Sequence, residues 1–587
     1  MSFEVVASSR AEERTSNPWR HVVNTGLQFG AVGISLAFVG ILGMFNTRPI
    51  IVGTLTLGYA VLALIFACAG ILVAKRGLLL PVGPVLLGAL VAGAIAGALV
   101  ALVPALMLTA NMRFIFVALD APLLKMMTLN LVPMILSLPA LVIMGAVFAA
   151  IGAAVVMLPD RIGRPLEGGL IAAGLAGLFQ ELIRPILANS TFTRPIHNLL
   201  YTWTGMTLQG AIIIFVVVTA ALFIWQLVRN RVTANYRALP DNTRRNIRWG
   251  YIAVACVLAA LFPLYAGNFI GQVLLMVGLF VLMGMGLNLE VGLAGLLDLG
   301  FVAFYAVGAY ATALLMADNP YALAQLSYWQ AMPIAVLCSI IVGVLFGIPV
   351  LKVRGDYLAV ATLGLGEIVR VIVLSDAAAP LLAGAKGILQ IPRPEIVGYS
   401  LNTPVALFYL ALAASLVAAY FAYRLEDSRL GRAWMAIRDD EDVAQALGIN
   451  LINVKLLAYG LGAAFAGLAG SIFAVMLGSI YPHSFQLIIS INILALIIVG
   501  GMGSLPGVAV GAIVLIGLPE MLREFGEFRY LFYGLAIIAV MRLKPEGLWP
   551  SAAKRREMQL DAETVAAQAA SVSHAPPQTA AASQRSA

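Results

Sequence analysis

Apolar stretches recur almost from end to end of this 587-residue chain. Most are close to the roughly 20 residues that carry a helix across a bilayer. In the first half they fall at about 23–45, 49–74, 79–108, 131–158 and 208–228. A shorter piece at 168–179 runs into Gln180, Glu181 and Arg184, so it either spans or lies at the interface. In the second half they fall at about 250–266, 269–288, 299–316, 331–351, 357–374, 404–423, 452–478, 487–500, 505–519 and 528–541. The pattern predicts an all-α polytopic membrane protein. About 10 transmembrane helices form a C-terminal core over 250–550, and about 5–6 form an N-terminal extension over 21–228.

Composition agrees. The chain is 61% hydrophobic and 11% charged, with a mean hydropathy of +0.96, whereas soluble domains carry about 25% charged residues. Residues 1–20 are mostly polar and the first apolar stretch is a full span, so a cytoplasmic tail is expected there and no cleavable signal peptide. The net charge of +8 needs no nucleic-acid partner, because arginines flanking spans follow the positive-inside rule.

Charge also sets the expected topology. Arg229, Arg231, Arg237, Arg244, Arg245 and Arg248, with Pro240 and Asp241, make a basic cytoplasmic linker over 229–249 and the natural domain boundary. Six crossings lead from there to 424–450, with Arg424, Arg429, Arg432 and Arg438, and four more lead to Lys544, Lys554, Arg555 and Arg556. All three basic regions then share the cytoplasmic side. If 168–179 spans, Arg10, Arg14 and Arg20 join them, and the total is about 16 crossings. Residues 551–587, rich in Ala, Ser and Gln, read as a disordered cytoplasmic tail. No internal repeat stands out.

Little suggests metal or redox chemistry. Cys68, Cys256 and Cys338 fall within apolar spans, as packing residues do. His21, His197, His483 and His574 are scattered without metal-ligand spacing, and Tyr481-Pro482-His483 reads as an external turn. No metal, cofactor or catalytic residue is expected.

The longest polar interruption of the second half is Leu430–Asn450, LGRAWMAIRDDEDVAQALGIN. Asp439, Asp440, Glu441 and Asp442 sit where a short helix would start, complementing its dipole, with Asp439 as N-cap. Val443, Ala444, Ala446 and Leu447 follow, and Gly448 can end the helix. Such an element is either a solvated loop helix or a docking site for a soluble partner.

This run, followed by VKLLAYGLGAAFAGLAG, resembles the coupling-helix region of ABC importer permeases, and more closely the M-type (LivM-type) permease of branched-chain amino-acid importers. The likeness covers about 250–550. It extends to GLNLEVGLAGLLDLGFVAFYAVGAYATALL at 286–315, LKVRGDYLAVATLGLGEIVRVIV at 351–373 and IIVGGMGSLPGVAVGAIVL at 497–515. The resemblance implies that Gly431, Arg432, Ala433, Ile437, Arg438, Asp439, Asp440, Glu441, Ala444, Gly448 and Ile449 dock into a groove of the ATPase subunit. In one place the chain departs from the family. Where a Gly-Gly-x-x-Gly loop is common, Leu382-Ala383-Gly384-Ala385-Lys386-Gly387 stands before Ile391-Pro392.

Translocation or gating candidates are Asn288, Gly292, Gly295, Asp298, Gly300, Glu367, Arg370, Gly500, Gly501 and Gly503. The glycines, with Gly308 and Gly507, allow either close helix packing or broken helices. Glu290, Asp298, Glu367 and Arg370 are charges in or beside spans, where charge is costly and faces a cavity or a partner. Glu367 and Arg370, at i and i+3, can pair on one helix face. The bland alternative makes these charges structural pairs or interfacial groups.

No Lys follows a Gly anywhere in the chain, so a P-loop of the Gly-Lys-Ser/Thr pattern is excluded. If ATP drives transport, a separate subunit hydrolyses it. The resemblance implies a non-catalytic permease subunit of the bacterial inner membrane, among membrane lipid. Its partners would be an H-type permease, two ABC ATPases and a periplasmic amino-acid-binding protein. Its substrates would be leucine, isoleucine and valine. A urea or short-amide permease, an ion-coupled secondary transporter and a membrane scaffold, with the first half as an assembly platform, are the alternatives.

Overall fold

The computed structural model describes residues 18–550 apart from 77–80, 111–114, 130, 132–135, 190–192, 239, 351–352, 354, 397 and 527, together with residues 551, 554, 556 and 560. Most of the two expected tails lies outside the described residues. Residues 18–20 are not tail but the first turn of a helix. The chain divides into two compact units, 1–261 and 262–587.

The first unit runs through α1 (Pro18–Phe38), α2 (Ile41–Asn46), β1 (Pro49–Ile51), β2 (Leu55–Thr56), α3 (Leu57–Arg76), α4 (Val82–Thr109), α5 (Ala121–Met127), α6 (Ser137–Met157), α7 (Asp160–Leu178), α8 (Gln180–Asn189), α9 (Arg194–Leu200), β3 (Tyr201–Thr202), β4 (Gly205–Met206), α10 (Leu208–Ala238) and the start of α11 (Asp241–Ala266). The apolar stretch expected to span from 49 is helical only from Leu57. Before that, Pro49–Thr56 forms a hairpin in a small sheet of order β2-β1-β4-β3. The ambiguous piece at 168–179 ends where α7 turns by 80° into α8. Gln180, at that corner, is buried: its Nε2 donates to the Pro49 carbonyl (2.7 Å) and its Oε1 accepts from the Met206 amide (2.8 Å). The corner thereby completes the sheet's hydrogen bonding. The basic linker is mostly helical, shared between α10 and α11.

Where lipid is as apolar as the side chains, helices associate by close approach. Gly93 and Gly97 of α4 lie against Gly145 and Leu141 of α6 with no room for a Cβ. Leu42, Leu62, Phe66, Leu123, Met127 and Leu141 make the buried core beside them.

The second unit continues with α12 (Asn268–Leu287), which runs into a π-helical turn at Asn288–Leu293, then α13 (Val302–Met316), α14 (Tyr328–Val350), α15 (Asp356–Leu374) and a short α16 (Ala379–Leu382). A hairpin of β5 (Glu395–Ile396) and β6 (Tyr399–Ser400) precedes α17 (Pro404–Glu426), α18 (Arg429–Asp439), α19 (Glu441–Ala446) and α20 (Leu451–Leu477). Next come α21 (Ile488–Gly500), α22 (Leu505–Ala512) with a second π turn at Ile513–Gly517, α23 (Leu518–Met521) and α24 (Phe528–Leu543). Local sequence sets the starts. Thr403 caps α17 by accepting from the Ala406 amide, with Pro404 at the first turn; Asn450 caps α20 and Ser504 caps α22 in the same way.

α20 is the central post, packed by α12, α13 and α14. Its small residues admit them: Gly467 lies on Gly308, and Gly470 on the Tyr305 carbonyl, without space for a side chain. Among the described residues of both units, ten helices are long and apolar enough to cross a membrane, eleven if the bent α7–α8 pair is one span. Val302–Met316 and Leu505–Met521 are shorter apolar helices at expected spans.

The two ends of this bundle are distinct. At one, the 317–328, 387–395 and 478–485 segments are tied together: the Asp318 amide donates to the Gln390 carbonyl, Asn319 Nδ2 to Leu389, Trp329 Nε1 to Glu395, and Ile388 pairs with Ile480. At the other end lie 292–300, 427–450, 499–504 and 548–549. The expected alternation of crossings requires this grouping.

Candidate functional site

The polar run is not one helix but two. Ser428 caps α18 through the Leu430 and Gly431 amides. Trp434 is fully buried, and its Nε1 donates to the Val454 carbonyl at 2.8 Å. Gly431 rests on the Leu425 and Glu426 carbonyls with no room for a Cβ. Arg432 donates to the Asp427 carbonyl, Ala433 is half-buried and Ile437 is buried. These contacts fix α18 between α17 and α20.

The N-cap of α19 is Asp440, whose Oδ1 accepts from the Val443 amide at 2.9 Å; Asp439, expected in that role, is the last residue of α18. The correction is geometric, since only a residue with extended backbone can cap, and Asp440 has φ −157°. Gly448, with φ +86°, ends the helix while the Ile449 amide donates back to Ala444. Glu441 pairs with Lys455 Nζ at 2.7 Å, and Lys455 is only 4% exposed. Ala444 is turned into the protein, at 1% exposure. The outward face of α19 carries Asp442, Val443, Gln445, Ala446 and Leu447. Val443 and Leu447, one turn apart, are exposed apolar side chains there.

Behind this pair of short helices, two transmembrane helices are broken. α12 opens into its π turn and the backbone stays irregular to Phe301. Such turns concentrate at functional sites. Asn288 is buried, and its Oδ1 accepts from the Gly503 amide at 2.9 Å across 215 residues of sequence. Gly503 belongs to the second break, between α21 and α22. A Cβ on Gly292 would stand 2.7 Å from that same Gly503 nitrogen, so only glycine lets the two breaks touch. Arg438, at the end of α18, donates from Nη1 to the Gly292 carbonyl at 2.6 Å. Its stem lies over Gly295, whose φ of +70° and lack of a Cβ are both required there.

Asp298 continues the site. Its Oδ1 accepts from the Gly300 amide at 2.6 Å, Thr362 Oγ1 accepts from the Leu299 amide, and Gly300 is flush with the Thr362 backbone. Glu290 is fully buried against Gly462 of α20, with Tyr459 buried on the same helix. The Glu290 and Asp298 carboxyls face each other, and the Tyr459 hydroxyl has no hydrogen-bond partner among the described residues. Gly500 and Gly501 meet the chain's return: the Leu548 and Trp549 amides donate to the Val499 and Gly500 carbonyls.

The structure thus gathers Asn288, Gly292, Gly295, Asp298, Gly300, Gly500, Gly501 and Gly503 at one end of the bundle with Arg438. Glu367 and Arg370 stand apart on α15, where they form the i, i+3 pair at 2.8 Å. Sequence reasoning missed Trp434, Lys455 and Thr362. A tryptophan inside a polar run and a lysine near the start of an apolar helix were the available signals for two of them; Thr362 offered none.

A bundle of apolar helices, broken at one end where a pair of short polar helices is held against the break, is the architecture of a polytopic membrane protein. The chain belongs to the branched-chain amino acid transport permease family. Residues 269–541 match the family described as branched-chain amino acid transport system / permease component. The chain is 35% identical over 363 residues to the high-affinity branched-chain amino acid transport system permease protein LivM of Escherichia coli (strain K12), covering 57% of this chain and 84% of that one. It is 23% identical to the probable LivM permease of Methanocaldococcus jannaschii, covering 48% of this chain and 94% of the relative. It is 23% identical to LivH of Escherichia coli (strain K12), covering 46% and 90%. No solved structure matches the chain. The family match begins beyond the first compact unit.

Proposed function

We propose that this chain is the M-type permease subunit of an ATP-driven importer of leucine, isoleucine and valine in the bacterial inner membrane. In this reading it is itself non-catalytic. An H-type permease completes the pathway, two ABC ATPases drive it, and a periplasmic binding protein delivers the substrate. The LivM and LivH relatives, each a permease of a branched-chain amino acid transport system, support the transport system and the permease pair.

The Arg438–Gly292 hydrogen bond carries the mechanism. A push on the exposed face of α19 is transmitted through α18, which Trp434 and Gly431 hold as a rigid lever. Arg438 then pulls on the irregular backbone after α12, and Asn288 passes the displacement to the α21–α22 break through Gly503. Both breaks lack the regular hydrogen bonding that makes a helix stiff, so they are the places where the pathway can change shape. On this reading α19 and the flanking residues Gly431–Ile449 are the coupling element, and the glycines of the two breaks form the inner gate. The N-terminal unit is an extension outside the family core.

Uptake of labelled leucine, isoleucine and valine by cells expressing the chain with its neighbouring transport genes tests the proposal. Uptake should require the ATPases and the binding protein, and urea should not be carried. Uptake that persists without the ATPases and follows an ion gradient would overturn it.

A further inference from the structure

A small pocket lies between α13 and α15. Its walls include Val302, Ala306 and Tyr310 of α13, Val369 and Arg370 of α15, and Phe485 from the turn before α21. The open space is about 10 Å³, enough for roughly one water. Arg370 closes one side, paired through Nε to Glu367 Oε2, and the two side chains are 35% and 38% exposed. Tyr310 is 5% exposed, yet its hydroxyl has no hydrogen-bond partner among the described residues. A buried hydroxyl without a partner, in an apolar cleft that an arginine also lines, points to a missing polar ligand.

We propose that this pocket is the collapsed form of a transit subsite for an α-amino acid zwitterion with an apolar side chain. Arg370 and Tyr310 receive the carboxylate, Glu367 receives the ammonium, and Val302, Ala306, Val369 and Phe485 enclose the side chain. The inference rests on the import reading above and names where in this subunit the substrate is held.

Charge balance explains the arrangement. A lone charge within a bilayer is costly, but Glu367 and Arg370 neutralise each other when the pocket is empty. A zwitterion presents two opposite charges on one carbon, so each protein charge exchanges one partner for another and the net charge of the site stays zero. Because the resting pair must be given up, binding is weak, as a transit site requires. A monoamine or a monocarboxylate would leave one protein charge unpaired, and a lone charge within a bilayer is costly. The pocket must widen as α13 and α15 separate, which ties occupancy to the transport cycle.

The test is substrate protection in the assembled transporter, in a chain whose Cys68, Cys256 and Cys338 are replaced by serine and which carries Ala306→Cys. Labelling by a small thiol reagent during turnover should be slowed by leucine, and not by 4-methylpentanoate or isoamylamine, which lack one charge each. The leucine effect should vanish in Arg370→Gln. If no compound slows labelling while the same transporter imports leucine, the subsite is overturned and the import reading stands. Equal protection by the two singly charged analogues overturns zwitterion recognition. If the unmodified transporter imports no leucine, the import reading falls, and this inference with it.

Discussion

The Arg438 guanidinium donates to the Gly292 carbonyl at 2.6 Å, joining residues 146 positions apart. It links the segment that faces outward to the point where α12 loses its helical hydrogen bonds. Arg438→Ala should leave the chain folded, at a cost of about 1.5 kcal/mol for one charge-assisted bond at a half-exposed site. It should lower substrate uptake far more than ATPase association. Co-purification beside uptake separates the two, and parallel losses would refute the lever.

The two faces of α19 should respond differently. Leu447 is 76% exposed and Ala444 is 1% exposed. Leu447→Asp should weaken retention of the ATPases while the thermal stability of the isolated chain stays within about 0.5 kcal/mol of wild type. Ala444→Arg should destabilise the chain itself, because it forces a charge into packed space. A stable Ala444→Arg chain that fails only in docking would contradict the burial described above.

Glu441 and Lys455 form a largely buried ion pair at 2.7 Å. Glu441→Gln alone strands the lysine and should cost up to about 3 kcal/mol. Adding Lys455→Met should recover most of that loss. Thermal unfolding of the two variants in detergent decides it, and no recovery in the double variant would argue that Glu441 acts mainly through other contacts.

Ala383 occupies the left-handed region at φ +61° and is 4% exposed. It stands where the resemblance to the family leads one to expect glycine. An L-residue there carries roughly 1–2 kcal/mol of strain, partly offset because glycine has more freedom to lose on folding. Ala383→Gly should therefore stabilise by about 0.5–1 kcal/mol, read as a small rise in unfolding temperature without loss of uptake.

Asp298 holds the Gly300 amide at 2.6 Å in a buried turn. Asp298→Ala should cost about 1–3 kcal/mol by leaving that donor unpaired. Asp298→Asn, which keeps an accepting oxygen, should cost less. Equal losses would point to the carboxylate's charge rather than its hydrogen bond.

The sequence by itself determined the membrane class, the places of most helices and the identity of the polar segment. These follow from local quantities: the length of an apolar run, a charge flanking it, a Thr-Pro or an Asn at a helix start. It also marked Asn288, Gly292, Gly295, Asp298, Gly300 and Gly503 as unusual residues for a span, and it paired Glu367 with Arg370 from spacing alone. Only the tertiary structure decided that Asn288 meets Gly503, that Arg438 reaches Gly292, and that Ala444 turns inward while Leu447 turns outward. Those relations depend on how helices hundreds of residues apart stack on α20, where a missing Cβ at Gly462, Gly467 or Gly470 sets the distance of approach. The corner at Gln180 and the hairpin before Leu57 were hidden for the same reason. Their hydrogen bonds are satisfied across 131 and 26 residues of chain, beyond the reach of any local pattern.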